Sequence, residues 1–128
     1  MVKLKVAEKY FDELEIRTDE QREENLSKLL PEHLKYVRDH CEGMKESLSD
    51  LDLDTFYSIN SLQKLPVLRK NDLANAQKEN PPLGGYNAIP ITEFDHLFQS
   101  PGPIFEPGKM SNNWWRGARG LYASGFRD

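Results

Sequence analysis

The sequence predicts a mainly α-helical fold with short extended segments near residues 86–99. Apolar residues recur every three or four positions between residues 10 and 79, which is the spacing of one helix face. Proline and glycine instead concentrate in residues 80–110. The 128 residues are 38% hydrophobic and 30% charged, with a mean hydropathy of -0.72, which indicates one domain with a small core.

A short apolar cluster precedes the first long helix. Tyr10, Phe11 and Leu14 lie at helical spacing, so one or two helical turns are predicted there. Thr18 is followed three residues later by Gln21, the pattern of a capping box, in which both side chains satisfy free backbone amides. A helix is therefore expected to begin directly after Thr18.

Pro31 determines how the next apolar stripe is divided. Steps of three and four positions, typical of an amphipathic helix, separate the residues of this stripe: Leu26, Leu30, Leu34, Val37 and Cys41. Because proline is favoured at the first helical position, we predict two consecutive helices, 19–29 and 31–42, with Gly43 ending the second. A single kinked helix is the alternative interpretation.

Short helices joined by capping signals are predicted for residues 44–79. One begins at Ser58 or Asp54 and is stopped by Pro66, and another covers 71–79 with its apolar side chains inward. Asn80 and two prolines end that helix.

The remaining residues, 80–128, form a proline- and glycine-rich segment that differs from the helical segment 1–79. Two short extended stretches are predicted within it, 86–91 and 93–99. A terminal helix is predicted from Ser111 onward, with Trp114 on one of its faces.

Charge and composition exclude several classes of protein. Residues 1–54 carry a net charge of −6 and residues 55–128 a net charge of +2, and an acidic first half disfavours binding to nucleic acid. No apolar run approaches the ~20 residues of a membrane span, and the N-terminus lacks the apolar run of a signal peptide. Cys41 is the one cysteine, which excludes an intramolecular disulfide. We expect a cytoplasmic, soluble chain with neither membrane nor nucleic acid as partner.

The loop 100–108 is the first candidate for chemistry, because it follows an extended stretch and precedes a helix, where phosphate-binding loops lie. Its three prolines remove backbone donors, and Glu106 would repel a phosphate, so a rigid extended connector is the favoured interpretation.

The other candidate groups are weaker candidates for a functional site. His33 and His40 share a helix face but lack a third metal ligand, since Cys41 belongs to the apolar stripe, and no metal site is predicted. Trp114, Trp115 and the arginines after them are interpreted as anchors of a core or an interface. Neighbouring carboxylates in so acidic a segment are assigned to a solvated face, so no catalytic residue is predicted.

Four strings of the sequence point to a family: 10–15 (YFDELE), 65–73 (LPVLRKNDL), 80–86 (NPPLGGY) and 100–107 (SPGPIFEP). In order and spacing they resemble the N-terminal part of phenylacetate–coenzyme A ligase-like proteins, members of the adenylate-forming acyl-CoA synthetase superfamily. The resemblance runs from about residue 9 to the end of the chain. It covers the first quarter to third of such an enzyme.

The resemblance implies a ligase that works in two steps. ATP and a carboxylic acid give an acyl-adenylate, and coenzyme A then displaces AMP with magnesium assisting. It also implies that 19–79 is part of a helical cap on an α/β enzyme, and that 80–128 begins an α/β core whose remainder is not in this sequence.

The resemblance places a phosphate-binding loop at 100–107. Ser100, Gly102 and Pro107 keep the pattern of that loop and are the candidate cofactor-binding residues. Glu106 stands where the family has a lysine, and 103–105 replace two threonines and a glycine. The acyl pocket, the adenine-binding strands and the adenylation lysine lie downstream in such an enzyme.

The chain is therefore expected to be an N-terminal fragment that is not catalytically competent and binds no cofactor alone. ATP, Mg and CoA are implied for the full-length ligase, and the partner is the remainder of its own polypeptide or a second copy in a dimer. The alternative is a stand-alone helical protein-interaction or dimerisation module, whose apolar tail covers a partner.

Overall fold

A computed structural model describes residues 9–110 and 115–126. It has four α-helices and one two-stranded sheet in these ranges: α1 (Asp19–His40), α2 (Glu42–Ser49), α3 (Lys70–Glu79), α4 (Gly117–Ala123), β1 (His96–Gln99) and β2 (Phe105–Gly108). Short 3₁₀ helices cover Glu13–Ile16, Leu53–Thr55, Ile59–Lys64 and Ile91–Glu93. The predicted mainly α-helical class is confirmed.

The capping box at the start of α1 forms as predicted. The Gln21 N–H donates to the Thr18 hydroxyl at 3.3 Å, and the Thr18 N–H donates to Oε1 of Gln21 at 2.9 Å. Two of the four backbone amides that a helix start leaves without partners are thereby satisfied.

The prediction of two helices divided at Pro31 is wrong, because α1 continues through Pro31 to His40. Leu30 and Leu34, on either side of the proline, pack on one core with Leu53 and Phe56. Packing of the buried Leu34 and the partly buried Leu30 on the same core favours a continuous helix, although the proline cannot donate to the carbonyl four residues earlier.

Gly43 does not end a helix, which corrects a second expectation. It lies inside α2, and a Cβ at this position would come within 2.8 Å of ring carbons of Tyr86. The glycine therefore allows the Tyr86 ring to approach the α2 backbone.

The segment between α2 and α3 completes the core. Ser58 caps the helix that follows it, as predicted, but that helix, Ile59–Lys64, is 3₁₀ rather than α and ends before Pro66. Leu51 and Leu65 pack against the core of Leu34, Leu53 and Phe56. Helix α3 matches the predicted 71–79, except that its buried residue is Gln77.

The extended stretches differ from the prediction. Residues 86–91 contain no strand, whereas 93–99 contains β1, and β2 lies inside the predicted connector. The strands pair antiparallel, with His96 opposite Gly108 and Gln99 opposite Phe105. A two-stranded sheet has only edge strands, so Pro107 in β2 is tolerated. The division of the chain into a helical segment, 1–79, and a proline- and glycine-rich segment, 80–128, stays a prediction.

The terminal helix is shorter than predicted. Ser111 and Trp114 lie outside the described residues, and Arg116 has a left-handed backbone with φ of 53°, so no helix continues across it. Helix α4 begins at Gly117. None of the helices described is both long and apolar enough to cross a membrane.

Candidate functional site

The β1–β2 connection, residues 100–104, is closed by its own first residue; we name it the hairpin loop. The Ser100 N–H donates to the Ile104 carbonyl at 3.0 Å, and the Ile104 N–H donates to the Ser100 hydroxyl oxygen at 3.4 Å. Ile104 is buried, with 5% of its surface exposed. The loop is thus anchored by an apolar side chain and closed by a serine.

Helix α3 holds the end of the hairpin loop through Gln77. Its side-chain nitrogen donates to the Phe105 carbonyl at 2.8 Å, and the Phe105 N–H donates to the Gln77 side-chain oxygen at 2.8 Å. Gln77 is itself buried, so these two bonds satisfy an amide that would otherwise be costly to remove from water. They fix the distance between α3 and the hairpin loop.

The start of α3 brings a cation to the hairpin loop. A Cβ on Gly102 would lie 2.5 Å from Nζ of Lys70, which puts the ammonium group against the Gly102 backbone. Within the described ranges, no hydrogen bond or ion pair joins the Lys70 side chain to another residue. The charge is therefore available to an anion.

A groove of about 360 Å³ lies between the hairpin loop and α3; we name it the loop groove. Its lining consists of two cations, one carboxylate, one hydroxyl and three apolar side chains: Arg69, Lys70, Glu106, Ser100, Leu68, Leu73 and Ile104. The balance of charge is positive. Such a groove is suited to one anionic group, because ammonium and guanidinium groups form charge-assisted hydrogen bonds with phosphate or carboxylate oxygens.

The backbone of the hairpin loop offers few further donors. Pro101 and Pro103 have no N–H, and the amides of Ser100, Ile104 and Phe105 are used within the fold. Between residues 100 and 105, only the Gly102 N–H remains. A loop with one such donor does not form the backbone cradle that surrounds a chain of phosphates.

Two comparisons of the sequence, with protein-family models and with curated proteins, give no match. A comparison with solved structures finds crystal structures of 2-hydroxyisobutyryl-CoA ligase in the postadenylation state, in complex with 2-HIB-AMP (TM-score 0.73) and with R3-HIB-AMP (TM-score 0.72). Each is 21% identical and covers 85% of this chain, which spans 24% of the ligase chain. The likeness shows the fold, which is that of a mainly α-helical segment of an acyl-CoA ligase. This agrees with the predicted fold class.

The structure separates the three predicted cofactor-binding residues. Ser100 lines the loop groove, and Gly102 lies under Lys70, so these two share the site. Pro107 is in β2 opposite Leu97 and is not part of the groove lining. Lys70, within the string 65–73, and Gln77 were not among the residues predicted for the site.

Of the residues named as metal candidates, His40 and Cys41 have other contacts. Nδ1 of His40 lies 2.9 Å from the Tyr36 carbonyl oxygen, and the His40 and Tyr36 rings stack with centroids 4.3 Å apart. The Cys41 thiol donates to the Gly85 carbonyl at 3.4 Å, and burial raises the pKa of this thiol above its ordinary value. Among the described residues, no three His, Cys, Asp or Glu side chains are grouped to hold a metal ion.

The aromatic candidates near the terminal helix form packing contacts where they are described. Trp115 packs edge-on against Phe98, with ring centroids 5.8 Å apart. A Cβ at Gly108, between these rings, would lie 2.9 Å from Phe98 and 3.3 Å from Trp115. Trp115 therefore contacts one face of the sheet while 56% of its surface stays exposed, and its interpretation as an anchor stays a prediction.

Proposed function

We propose that this chain is the N-terminal segment of an AMP-forming carboxylic acid–CoA ligase of the phenylacetate–CoA ligase-like subfamily. The observation that carries the proposal is the likeness in fold to an acyl-CoA ligase over 85% of the chain, at a TM-score of 0.73. The four strings at 10–15, 65–73, 80–86 and 100–107 support the subfamily independently of the fold.

The loop groove supports a role for Lys70 in this ligase. ATP supplies the adenylyl group that activates the carboxylic acid, and one of its phosphates is the anion that the loop groove would hold. The fitting donors are the Lys70 ammonium, the Ser100 hydroxyl and the Gly102 N–H. In the family that the sequence resembles, a lysine stands at the position of Glu106. Lys70 would supply the corresponding positive charge from α3.

The remaining parts of the reaction belong to the rest of the ligase. This chain spans 24% of the ligase that it resembles in fold, so the acid pocket and the adenine site are proposed to come from the remainder of the polypeptide. Magnesium and coenzyme A are likewise proposed for the whole enzyme.

The proposal is tested on the whole protein, isolated from its own cells through an affinity tag. We expect exchange of labelled pyrophosphate into ATP that depends on one acid of a panel of aliphatic, hydroxy and aryl acids, and release of AMP when CoA is added. Lys70→Met is expected to raise the KM for ATP about tenfold, because one charge-assisted contact to phosphate is lost. Lys64→Met, an exposed lysine outside the groove, is the matched control. Absence of exchange with every acid contradicts the proposal.

A dimerisation module is the second candidate function, supported by the exposed apolar surface. Val67, Met110 and Phe126 are 78%, 80% and 67% exposed, and a partner that covered these side chains would remove apolar surface from water. Sedimentation equilibrium and the pyrophosphate-exchange assay, both on the isolated protein, together separate the two functions. A defined dimer without pyrophosphate exchange favours the module, and exchange favours the ligase.

A further inference from the structure

A second cavity, of about 480 Å³, lies between the N-terminal segment, α1 and the residues around α4. We name it the arginine cavity, because Arg17, Arg116 and Arg119 line it. It shares no lining residue with the loop groove. A ligand of the arginine cavity would therefore contact residues other than those of the loop groove.

Contacts between the two ends of the described chain form the wall of the arginine cavity. Arg119 forms an ion pair with Asp12 and lies 3.9 Å from a carboxylate oxygen of Glu15. The rings of Phe11 and Tyr122 meet edge-on, with centroids 5.7 Å apart. These contacts hold α4 against the residues that precede α1.

Two of the three guanidinium groups have no carboxylate partner within residues 9–110 and 115–126. The Arg17 side chain donates to the Leu14 carbonyl at 3.0 Å and to the Asn25 side-chain oxygen at 3.2 Å, both neutral acceptors. Arg116 has no hydrogen bond or ion pair from its side chain to any residue that the structure describes. Asp12, the one carboxylate in the lining, is paired with Arg119. The cavity therefore carries an excess of positive charge.

The rest of the lining is largely apolar. Phe11, Leu14 and Leu29 contribute side chains to the same cavity, and each is about half exposed. A volume of about 480 Å³ lies within the range of about 300–1,000 Å³ that is typical of small-molecule sites. Two arginines that form no ion pair with a described carboxylate, beside apolar walls, match a ligand with an anionic head and an apolar body.

We propose that the arginine cavity binds a small organic anion, with its phosphate or carboxylate head between Arg17 and Arg116 and its apolar body against Phe11, Leu14 and Leu29. The planar guanidinium fork fits both kinds of head, because each offers two oxygens to parallel N–H donors. The ligand is thus distinguished from an inorganic ion by its apolar part.

The test is titration calorimetry of the purified protein at low salt with two probes, phenyl phosphate and 3-phenylpropionate. We expect at least one probe to bind with a Kd below about 1 mM, and the stronger probe identifies the head group. 3-Phenylpropan-1-ol, which keeps the apolar body without the charge, is expected to bind at least about tenfold more weakly. Inorganic phosphate is expected to bind more weakly than phenyl phosphate.

Variants assign the binding to the cavity. Arg116→Gln is expected to weaken binding about tenfold, whereas Arg22→Gln, which removes the same charge from an exposed face of α1, leaves binding unchanged. Arg116→Lys keeps the charge and is expected to retain part of the affinity. Circular dichroism confirms that each variant is folded.

Three results would overturn the proposal. The first is no binding of either probe up to about 10 mM. The second is an equal loss of binding in Arg116→Gln and Arg22→Gln, which shows only general attraction between charges. The third is binding that Lys70→Met abolishes and Arg116→Gln leaves intact, which assigns the probe to the loop groove and leaves the proposed ligase function standing.

Discussion

The side chain of Gln77 forms hydrogen bonds with both backbone groups of Phe105, at 2.8 Å each. On the edge of β2 that faces away from β1, the Gln77 amide takes the place of a neighbouring strand, because it donates to the Phe105 carbonyl and accepts from the Phe105 N–H. Through this pair, α3 and the hairpin loop become one structural unit. The position of Lys70 over Gly102 depends on it, because Lys70 is the first residue of the same helix.

Replacing Gln77 by methionine is expected to lower the free energy of unfolding by about 1–3 kcal/mol. The substitution keeps the length of the side chain but leaves the N–H and C=O of Phe105 without their partners in a partly buried place. Urea denaturation measures the difference. Lys78→Met, at the next and exposed position of α3, is the control and is expected to change stability by less than about 0.5 kcal/mol. Equal effects of the two variants would show that the two Gln77–Phe105 hydrogen bonds contribute nothing to the free energy of unfolding.

The capping box of α1 gives a second prediction. Thr18→Ala removes the hydroxyl that accepts from the Gln21 N–H, and the expected loss of stability is about 1 kcal/mol. Thr92→Ala, an exposed threonine in the 3₁₀ helix Ile91–Glu93, is the matched control. Thermal unfolding followed by circular dichroism compares the two, and an unchanged midpoint for Thr18→Ala would contradict the cap.

Pro31→Ala is expected to stabilise the protein. Proline inside a helix removes one backbone hydrogen bond and costs up to about 3 kcal/mol relative to alanine, and Pro31 lies within α1. Urea denaturation of the variant is therefore expected to show a higher midpoint with the same helix content. A lower midpoint would mean that packing of the proline ring outweighs the lost hydrogen bond.

Cys41 is expected to react slowly with iodoacetamide. Only 6% of its surface is exposed, and burial raises its pKa, so both access and the fraction of thiolate are lower than in an unfolded chain. At pH 8, alkylation followed by mass spectrometry is expected to be at least about tenfold slower in the native protein than in urea. Equal rates would show that the α1–α2 junction is open.

The raised pKa of Cys41 also predicts a dependence of stability on pH. The neutral thiol is favoured in the folded state, so this contribution is complete below the ordinary pKa of 9.0 and is lost as the pH rises through the folded value. Cys41→Ala lacks this titration. The variant is expected to lose less stability than the natural protein between pH 8 and pH 10, measured by urea denaturation.

Features set by neighbouring residues were predictable from the sequence. The capping box needs only Thr18 and Gln21, three positions apart, and the cap at Ser58 was likewise indicated locally. Helix α3 follows from its apolar spacing and from the two prolines after Asn80.

Features set by distant residues were not predictable. The continuity of α1 through Pro31 depends on Leu53 and Phe56, about twenty residues further along the chain. Strand β2, with the sequence FEPG, has a proline and a glycine that disfavour a strand, and its partners are β1 and Gln77. The spacing of apolar residues along the sequence gives no signal for contacts between segments so far apart.

The same reason explains what was missed at the candidate site. Ser100 and Gly102 were named because they match a loop pattern, whereas Lys70 reaches that loop from 32 residues earlier in the chain. Pro107 matches the pattern as well, but the pairing of β2 with β1 takes it away from the loop groove. Two of the three arginines of the arginine cavity, Arg17 and Arg116, are 99 residues apart in the sequence.

Trapping the acyl-adenylate decides whether this chain belongs to an AMP-forming ligase. The protein isolated from its own cells is incubated with ATP, the panel of carboxylic acids and hydroxylamine, which converts an acyl-adenylate to a hydroxamate. We expect one hydroxamate per AMP released, formed from an acid of the panel, and a higher KM for ATP in Lys70→Met but not in Lys64→Met. No hydroxamate with any acid, from a protein shown to be folded, would contradict the proposed ligase function.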